Sequence, residues 1–137
     1  MRTFLDSSAF AKRYVDEVGS AAVDEACAEA GELALCILCV PEILSALNRR
    51  VREGTLSRRD YGRAKQRLAE DVADAIILDL TPAVIARTAT ILEHSPARAM
   101  DALHMACAVE WGADVFVSAD RQQLLAAKQA RLPTRFV

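Results

Sequence analysis

Histidine occurs only twice and glycine only five times among the 137 residues of this chain. These scarcities exclude chemistry. His94 and His104 are too few and too far apart for an evident histidine-based metal site. No Gly-rich phosphate loop and no Gly-x-Ser-x-Gly nucleophile turn occurs. No apolar run approaches the ~20 uncharged residues that a membrane span needs, and no secretory signal precedes the first apolar run. The formal net charge of −2 does not mark a nucleic-acid binder. Cysteine is present as Cys27, Cys36, Cys39 and Cys107, all in apolar surroundings. Cys36 and Cys39 form a C-x-x-C, but the stretch from Leu33 to Cys39 reads as a buried strand. Residues three apart on a strand point to opposite faces, so buried free thiols are expected rather than a zinc site or a disulfide. A reducing cytoplasm is the expected compartment.

What is there is a globular balance, 53% hydrophobic and 26% charged, with enough chain for one domain and a proper core. Short apolar runs alternate with helical patterns. Arg2 to Leu5 reads as a strand, followed by a helix from Ala9 to Val15 and another opened by Gly19-Ser20 and running through Ala30. A second strand is expected from about Leu33 to Leu38. Pro41 suits the first turn of the next helix, which ends near Gly54. Ser57, with Asp60 three residues on, resembles a cap for a long polar helix reaching Asp74. Ile76 to Leu80 is a third strand. Thr81-Pro82 starts a helix with Val84, Ile85, Thr88, Ile91 and Leu92 inward. After the loop 95–98, an apolar helix spans Met100 to Trp111 and stops at Gly112. Val115 to Val117 is a fourth strand, a helix runs from Asp120 to Ala130, and Thr134 to Val137 adds a short last strand. This alternation predicts a single α/β domain over residues 1–137, with a central, mostly parallel sheet of four to five strands flanked by helices.

Four acids stand apart from those on helix surfaces. Asp6 closes the first strand, Glu42 lies just beyond the second, Asp101 begins an apolar helix, and Asp120 follows the fourth strand. Ligands of open parallel sheets bind outside the carboxyl ends of the strands. Taken singly, each acid could simply cap a helix. Asp101 is harder to explain that way, because it is the one anion in the otherwise apolar start Ala102-Leu103-His104-Met105-Ala106. Clustered hard oxygen ligands favour Mg²⁺ or Mn²⁺ over zinc, and such ions activate water and stabilise charge on phosphate.

Phe4-Leu5-Asp6-Ser7-Ser8-Ala9, Pro41-Glu42, Arg98-Ala99-Met100-Asp101-Ala102-Leu103-His104-Met105-Ala106 and Ser118-Ala119-Asp120-Arg121, in this order, resemble the signatures of the PIN domain, most closely its VapC toxin subgroup. The likeness covers essentially the whole chain. It implies a metal-dependent endoribonuclease that is the growth-inhibiting toxin of a toxin–antitoxin pair. Asp6, Glu42, Asp101 and Asp120 would be its catalytic and metal-ligating residues around Mg²⁺ or Mn²⁺, supported by the hydroxyls of Ser8 and Ser118. It further implies single-stranded RNA as substrate, water as nucleophile, a cognate antitoxin as partner and a homodimer. A fifth acid carried by some relatives beyond Asp120 is missing here, where Gln122, Gln123 and Leu124 stand.

His104, three residues past Asp101, could orient that acid or be a satisfied, partly buried histidine. Trp111 reads as core or interface. Arg49, Arg50, Arg52, Arg58, Arg59, Arg63, Lys65 and Arg67 are opposed only by Glu53 and Asp60. Arg58, Arg59 and Arg63 are therefore candidate contacts to RNA phosphate or to an antitoxin, against the plainer reading of a solvated helix face. Lys12 and Arg13, one turn past Asp6, are candidates for steering the scissile phosphate. The rivals are a catalytically silent PIN-fold module that binds RNA or a partner, a phosphotransferase, and a structural domain whose acids are all caps. The phosphotransferase reading is weakened because Asp6-Ser7-Ser8 lacks the second acid of an Asp-x-Asp nucleophile.

Overall fold

Side chains alternate across the strands with apolar residues on both sides, and a sheet so patterned must be covered on both faces. A computed structural model, which describes all 137 residues, shows how this is met. The element order is β1 (Arg2–Leu5), α1 (Ser7–Phe10), a 3₁₀ turn (Ala11–Arg13), α2 (Ser20–Glu29), β2 (Glu32–Cys36), α3 (Cys39–Arg52), α4 (Arg58–Ala73), β3 (Ile76–Leu78), α5 (Pro82–His94), α6 (Ala99–Trp111), β4 (Val115–Ser118), α7 (Arg121–Gln129) and β5 (Thr134–Phe136).

The five strands form one sheet in the order β3-β2-β1-β4-β5, with every pairing parallel. Phe4, Ala34, Cys36 and Phe116 point to one face and pack with buried residues of α5, α6 and α7. Leu5, Leu35 and Val117, their strand neighbours, point to the other and pack with α1 to α4. Phe4 lies stacked on Phe116, with ring centroids 5.5 Å apart. A core aromatic of this kind contributes roughly 1.5–3 kcal/mol by burial alone. Helix α6 is apolar nearly all round because it lies between the sheet and α5, with Ala102, Met105, Ala106 and Ala108 all buried. It ends at Gly112, whose φ of 77° is the left-handed conformation that a glycine reaches without strain.

Several boundaries and faces differ from the sequence reading. The first helix begins at Ser7, immediately after its cap Asp6, and tightens into the 3₁₀ turn instead of continuing to Val15. Strand β2 ends at Cys36, and α3 starts at Cys39. Cys36 and Cys39 therefore belong to different elements, yet both are buried, and all four cysteines are free. Strand β3 stops at Leu78. Ile85 and Leu92, expected inward, are exposed, because α5 packs through Val84, Thr88 and Ile91 alone. The cap at Ser57 is present, its hydroxyl accepting from the Asp60 N–H at 3.0 Å. No helix is long and apolar enough to cross a membrane.

Candidate active site

The strand order reverses between β1 and β4, since β2 and β3 extend the sheet to one side and β4 and β5 to the other. Ligands of parallel sheets collect at the carboxyl ends beside such a switch. Asp6 sits there, at the end of β1, with its backbone N–H bonded to the Val117 carbonyl at 3.1 Å.

The Asp6 carboxylate is almost fully buried. Its Oδ1 accepts from Ser8 Oγ at 2.7 Å and from the Ala9 N–H at 2.9 Å. Its Oδ2 accepts from Ser118 Oγ at 2.5 Å. The two hydroxyls lie 3.2 Å apart and are themselves aimed by the chain across the switch. Ser8 Oγ accepts the Ala119 N–H at 3.1 Å, and Ser118 Oγ accepts the Asp120 N–H at 3.0 Å. Burial pushes the Asp6 carboxyl above its ordinary range, while the bonds from Ser118, Ser8 and Ala9 act to keep it ionised. Ser8 and Ser118 thus each donate to one oxygen of Asp6.

Glu42 projects from the first turn of α3. Its Oε1 accepts from Ser7 Oγ at 2.9 Å and from His104 Nε2 at 2.5 Å. Burial acts to raise the Glu42 carboxyl, but the hydrogen bond and charge of His104, with Ser7, bring it below its usual range. His104 is fully buried, edge-on to Phe4. Burial disfavours its imidazolium, yet the Glu42 bond and charge leave it easier to protonate than a free histidine. Of the two readings, His104 is the buried histidine satisfied by a partner, and that partner is Glu42 and not Asp101; its Nδ1 has no partner.

Asp101 stands in the first turn of α6, half-buried, and its carboxylate takes part in none of the chain's hydrogen bonds or ion pairs. Burial raises it, the charge of Asp120 raises it further, and Glu42 adds to that. His104 and Arg98 oppose the shift. Asp120 caps α7, its Oδ1 accepting from the N–H groups of Gln122 at 2.9 Å and Gln123 at 3.4 Å. The capping reading thus holds for Asp6 and Asp120. Asp101 and Asp120 share a cavity of about 380 Å³. A larger one, about 440 Å³, lies between α5 and α7 and contains none of the four acids. Of the two, only the former is lined by any of the candidate acids.

Ser118 links Asp6 to the backbone of Asp120, and the charges of Asp120 and Glu42 reach Asp101, although no three His, Cys, Asp or Glu side chains gather closely enough to hold a metal ion by themselves. That arrangement still suits a hard cation. Mg²⁺ keeps several waters and commonly takes only one or two carboxylates, so a full protein cage is not required. An unpaired carboxylate beside another acid is the donor chemistry that such an ion satisfies.

Two residues were missed by sequence reasoning. Ser7 bridges toward Glu42 and His104, the latter at 3.3 Å. Gln123 is buried and donates Nε2 to the Asp101 carbonyl at 3.4 Å, tying α7 to α6. Ser7 had a signal in its place beside Asp6, but its reach to α3 is tertiary.

The basic candidates divide. Lys12 is engaged by the Val18 and Val137 carbonyls, at 2.6 and 3.2 Å. Arg13 lies between Asp24 and Asp71, at 3.3 and 3.7 Å, over the Phe10 ring. Both are thus engaged by partners within the chain. Arg58, Arg59 and Arg63 are exposed on α4 and join none of the chain's ion pairs. Trp111 is half-buried beneath Arg2, whose guanidinium lies 5.2 Å from its ring.

Residues 3–129 match the family model of the PIN domain. No curated protein matches the chain in sequence. Among solved structures it is similar to VapC20 of Mycobacterium tuberculosis, described as a sarcin-ricin loop cleaving toxin. That match has a TM-score of 0.70 at 16% identity and covers 90% of this chain and 94% of the other. VapBC2 of Rickettsia felis, bound to a DNA fragment from its promoter, gives 0.73 at 12% identity over 100% and 99% of the two chains. PAE2754 of Pyrobaculum aerophilum gives 0.72 at 20% identity over 98% and 83%. At such identities these likenesses speak for the fold.

Proposed function

The chain belongs to the PIN-domain family, and from that membership and its acidic edge we propose an endoribonuclease that acts as the toxin of a toxin–antitoxin pair. One observation carries the catalytic part. Asp101 is a half-buried carboxylate without a hydrogen-bond donor, beside Asp120 in a shared cavity. A structural acid acquires donors, and an acid left facing another is ready for a ligand.

Asp6, Glu42, Asp101 and Asp120 would hold Mg²⁺ or Mn²⁺. When bound, such an ion supplies a more acidic water and neutralises charge on the phosphate. The chain's own residues prepare that edge. Ser8, Ser118 and the Ala9 N–H fix the Asp6 carboxylate and oppose the upward push of burial on its pKa. His104 and Ser7 fix one oxygen of Glu42 and leave the other free. The cap bonds aim Asp120 through Oδ1 in the same way. The reaction is hydrolysis. Water adds to phosphorus, the bond to the 3′ oxygen breaks, and that oxygen takes a proton, leaving a 5′-phosphate and a 3′-hydroxyl.

The toxin role is supported by the similarity to toxins and toxin–antitoxin complexes. It brings an antitoxin and a homodimer as partners. The test is incubation of the purified chain with single-stranded RNA, with Mn²⁺ or with chelator, alongside induction in a host with and without a co-expressed cognate antitoxin. Mn²⁺-dependent cleavage and antitoxin-relieved growth arrest are expected. An inert protein in both assays would refute the reading.

A further inference from the structure

The cavity at Asp101 and Asp120 does not end at the acids. It runs between the 95–98 loop and α7, with Pro96, Ala97 and Arg98 on one side and Gln122, Leu125 and Gln129 on the other. The last three are spaced i, i+3 and i+7, so they form one stripe of the helix. All three are exposed, Leu125 at 62%. The side-chain amides of Gln122 and Gln129 take part in none of the chain's hydrogen bonds, in contrast to Gln123, which is buried against Asp101. The neighbouring 440 Å³ cavity shares Ala126 and Gln129 as walls, so the depression continues past the end of the stripe.

We propose that this channel reads the bases of the RNA strand, with Gln122 and Gln129 as specificity-determining amides and Leu125 as the apolar surface between them. The inference rests on the nuclease reading and deepens it. Single-stranded RNA is distinguished by hydrogen bonds to splayed base edges and by packing on base faces. A primary amide presents donor and acceptor side by side, the pattern that pairs with a base edge. A wall that tracked phosphate would be cationic, but Arg98 is the one cation lining the channel, and its acids are Asp101 and Asp120 themselves. At about 380 Å³ the channel lies in the lower part of the range of roughly 300–1,000 Å³ typical of small-ligand sites.

The test uses the full chain, metal-free in chelator, with 5′-labelled hexaribonucleotides of adenine, cytosine and uracil as probes. Gln122→Leu and Gln129→Leu are made singly and together, and thermal melts confirm their folding. A bidentate amide–base contact discriminates by roughly fivefold to a hundredfold. The wild type should prefer one hexamer by at least about fivefold, and the double variant should lose that preference without losing its weakest binding. Equal binding of all hexamers by the wild type, or an unchanged preference in the variant, overturns the inference. Cleavage sites mapped on a random RNA pool with Mn²⁺ separate the two readings. Cleavage with the same site preference in the double variant overturns the channel and leaves the nuclease standing. Amide-dependent hexamer discrimination without any cleavage supports the channel and refutes the nuclease. If the substitutions weaken only antitoxin binding, the wall faces a protein and the inference falls.

Discussion

Replacing Asp101 by asparagine keeps the shape of the side chain and deletes one charge, and the structure fixes what should follow. Two carboxylates ~5 Å apart repel by about 3 kcal/mol at an effective dielectric of ~20 and by under 1 kcal/mol in water-like surroundings. Asp101 is half-exposed and Asp120 partly exposed, so about 1 kcal/mol is the appropriate relief. Against it stands the loss of an acid from the first turn of α6, worth ~0.3–1 kcal/mol. No hydrogen bond is lost, because the carboxylate makes none within the chain. Metal-free Asp101→Asn should therefore be as stable as wild type, or up to about 1 kcal/mol more so, a rise of at most about 3–4 °C in Tm for a chain of this size. The sign with pH follows from the raised carboxyl. The penalty on the wild type is full above its folded pKa and relieved as pH falls through it, so any advantage of the variant should vanish toward the unfolded value near 3.8. Mn²⁺ at ten times its Kd should stabilise the wild type by about 1.4 kcal/mol. In the variant that gain should shrink, and RNA cleavage should be abolished. Melts at pH 7 and pH 4, with and without Mn²⁺, and a cleavage assay controlled for host nucleases read all of this. Retained cleavage refutes the proposed site. A less stable, metal-indifferent and active variant would make Asp101 a structural acid.

Ser118→Ala removes a donor from buried Asp6 and an acceptor from the Asp120 N–H. It should cost about 1–3 kcal/mol in urea unfolding and move the acidic limb of the pH–rate profile upward, whereas an unmoved limb would detach Asp6 from catalysis. His104, with its raised folded pKa, contributes stability that is full below the unfolded value of ~6.5 and lost as pH rises through the folded one. Melts from pH 6 to 9 should thus fall more steeply for wild type than for His104→Gln, and parallel curves would dissolve the Glu42 pair. Charge removal at Arg58, Arg59 and Arg63 should lower the salt slope of RNA binding by about 2, at ~0.7 per phosphate contact. An unchanged slope, with antitoxin binding lost, would make α4 the partner surface.

The periodicity of the chain was enough for the α/β class, because a strand with apolar residues on both faces requires helices on both sides of the sheet. Phe4 beside Leu5, and Phe116 beside Val117, already carry that requirement in single dipeptides. Asp6, Glu42, Asp101 and Asp120 stood out as candidates for a related reason. Each directly follows a strand or opens a helix, and parallel strands present those positions at one edge. The connections across that edge were not legible. That Ser118 bonds Asp6, 112 residues away, depends on β4 lying beside β1, and the order β3-β2-β1-β4-β5 is not written in any local pattern. That His104 serves Glu42 depends on how α6 crosses the end of β2, whereas helical spacing alone pointed to Asp101. Lys12 and Arg13 looked available because a sequence shows charge without partners, and only the fold brings Val137, Asp24 and Asp71 to them. Local chemistry thus determined which residues stood out as candidates. The tertiary arrangement decided which are held, which are paired and which, like Asp101, are left open, since hydrogen bonds and charge interactions act over a few ångströms of space and take no account of distance along the chain.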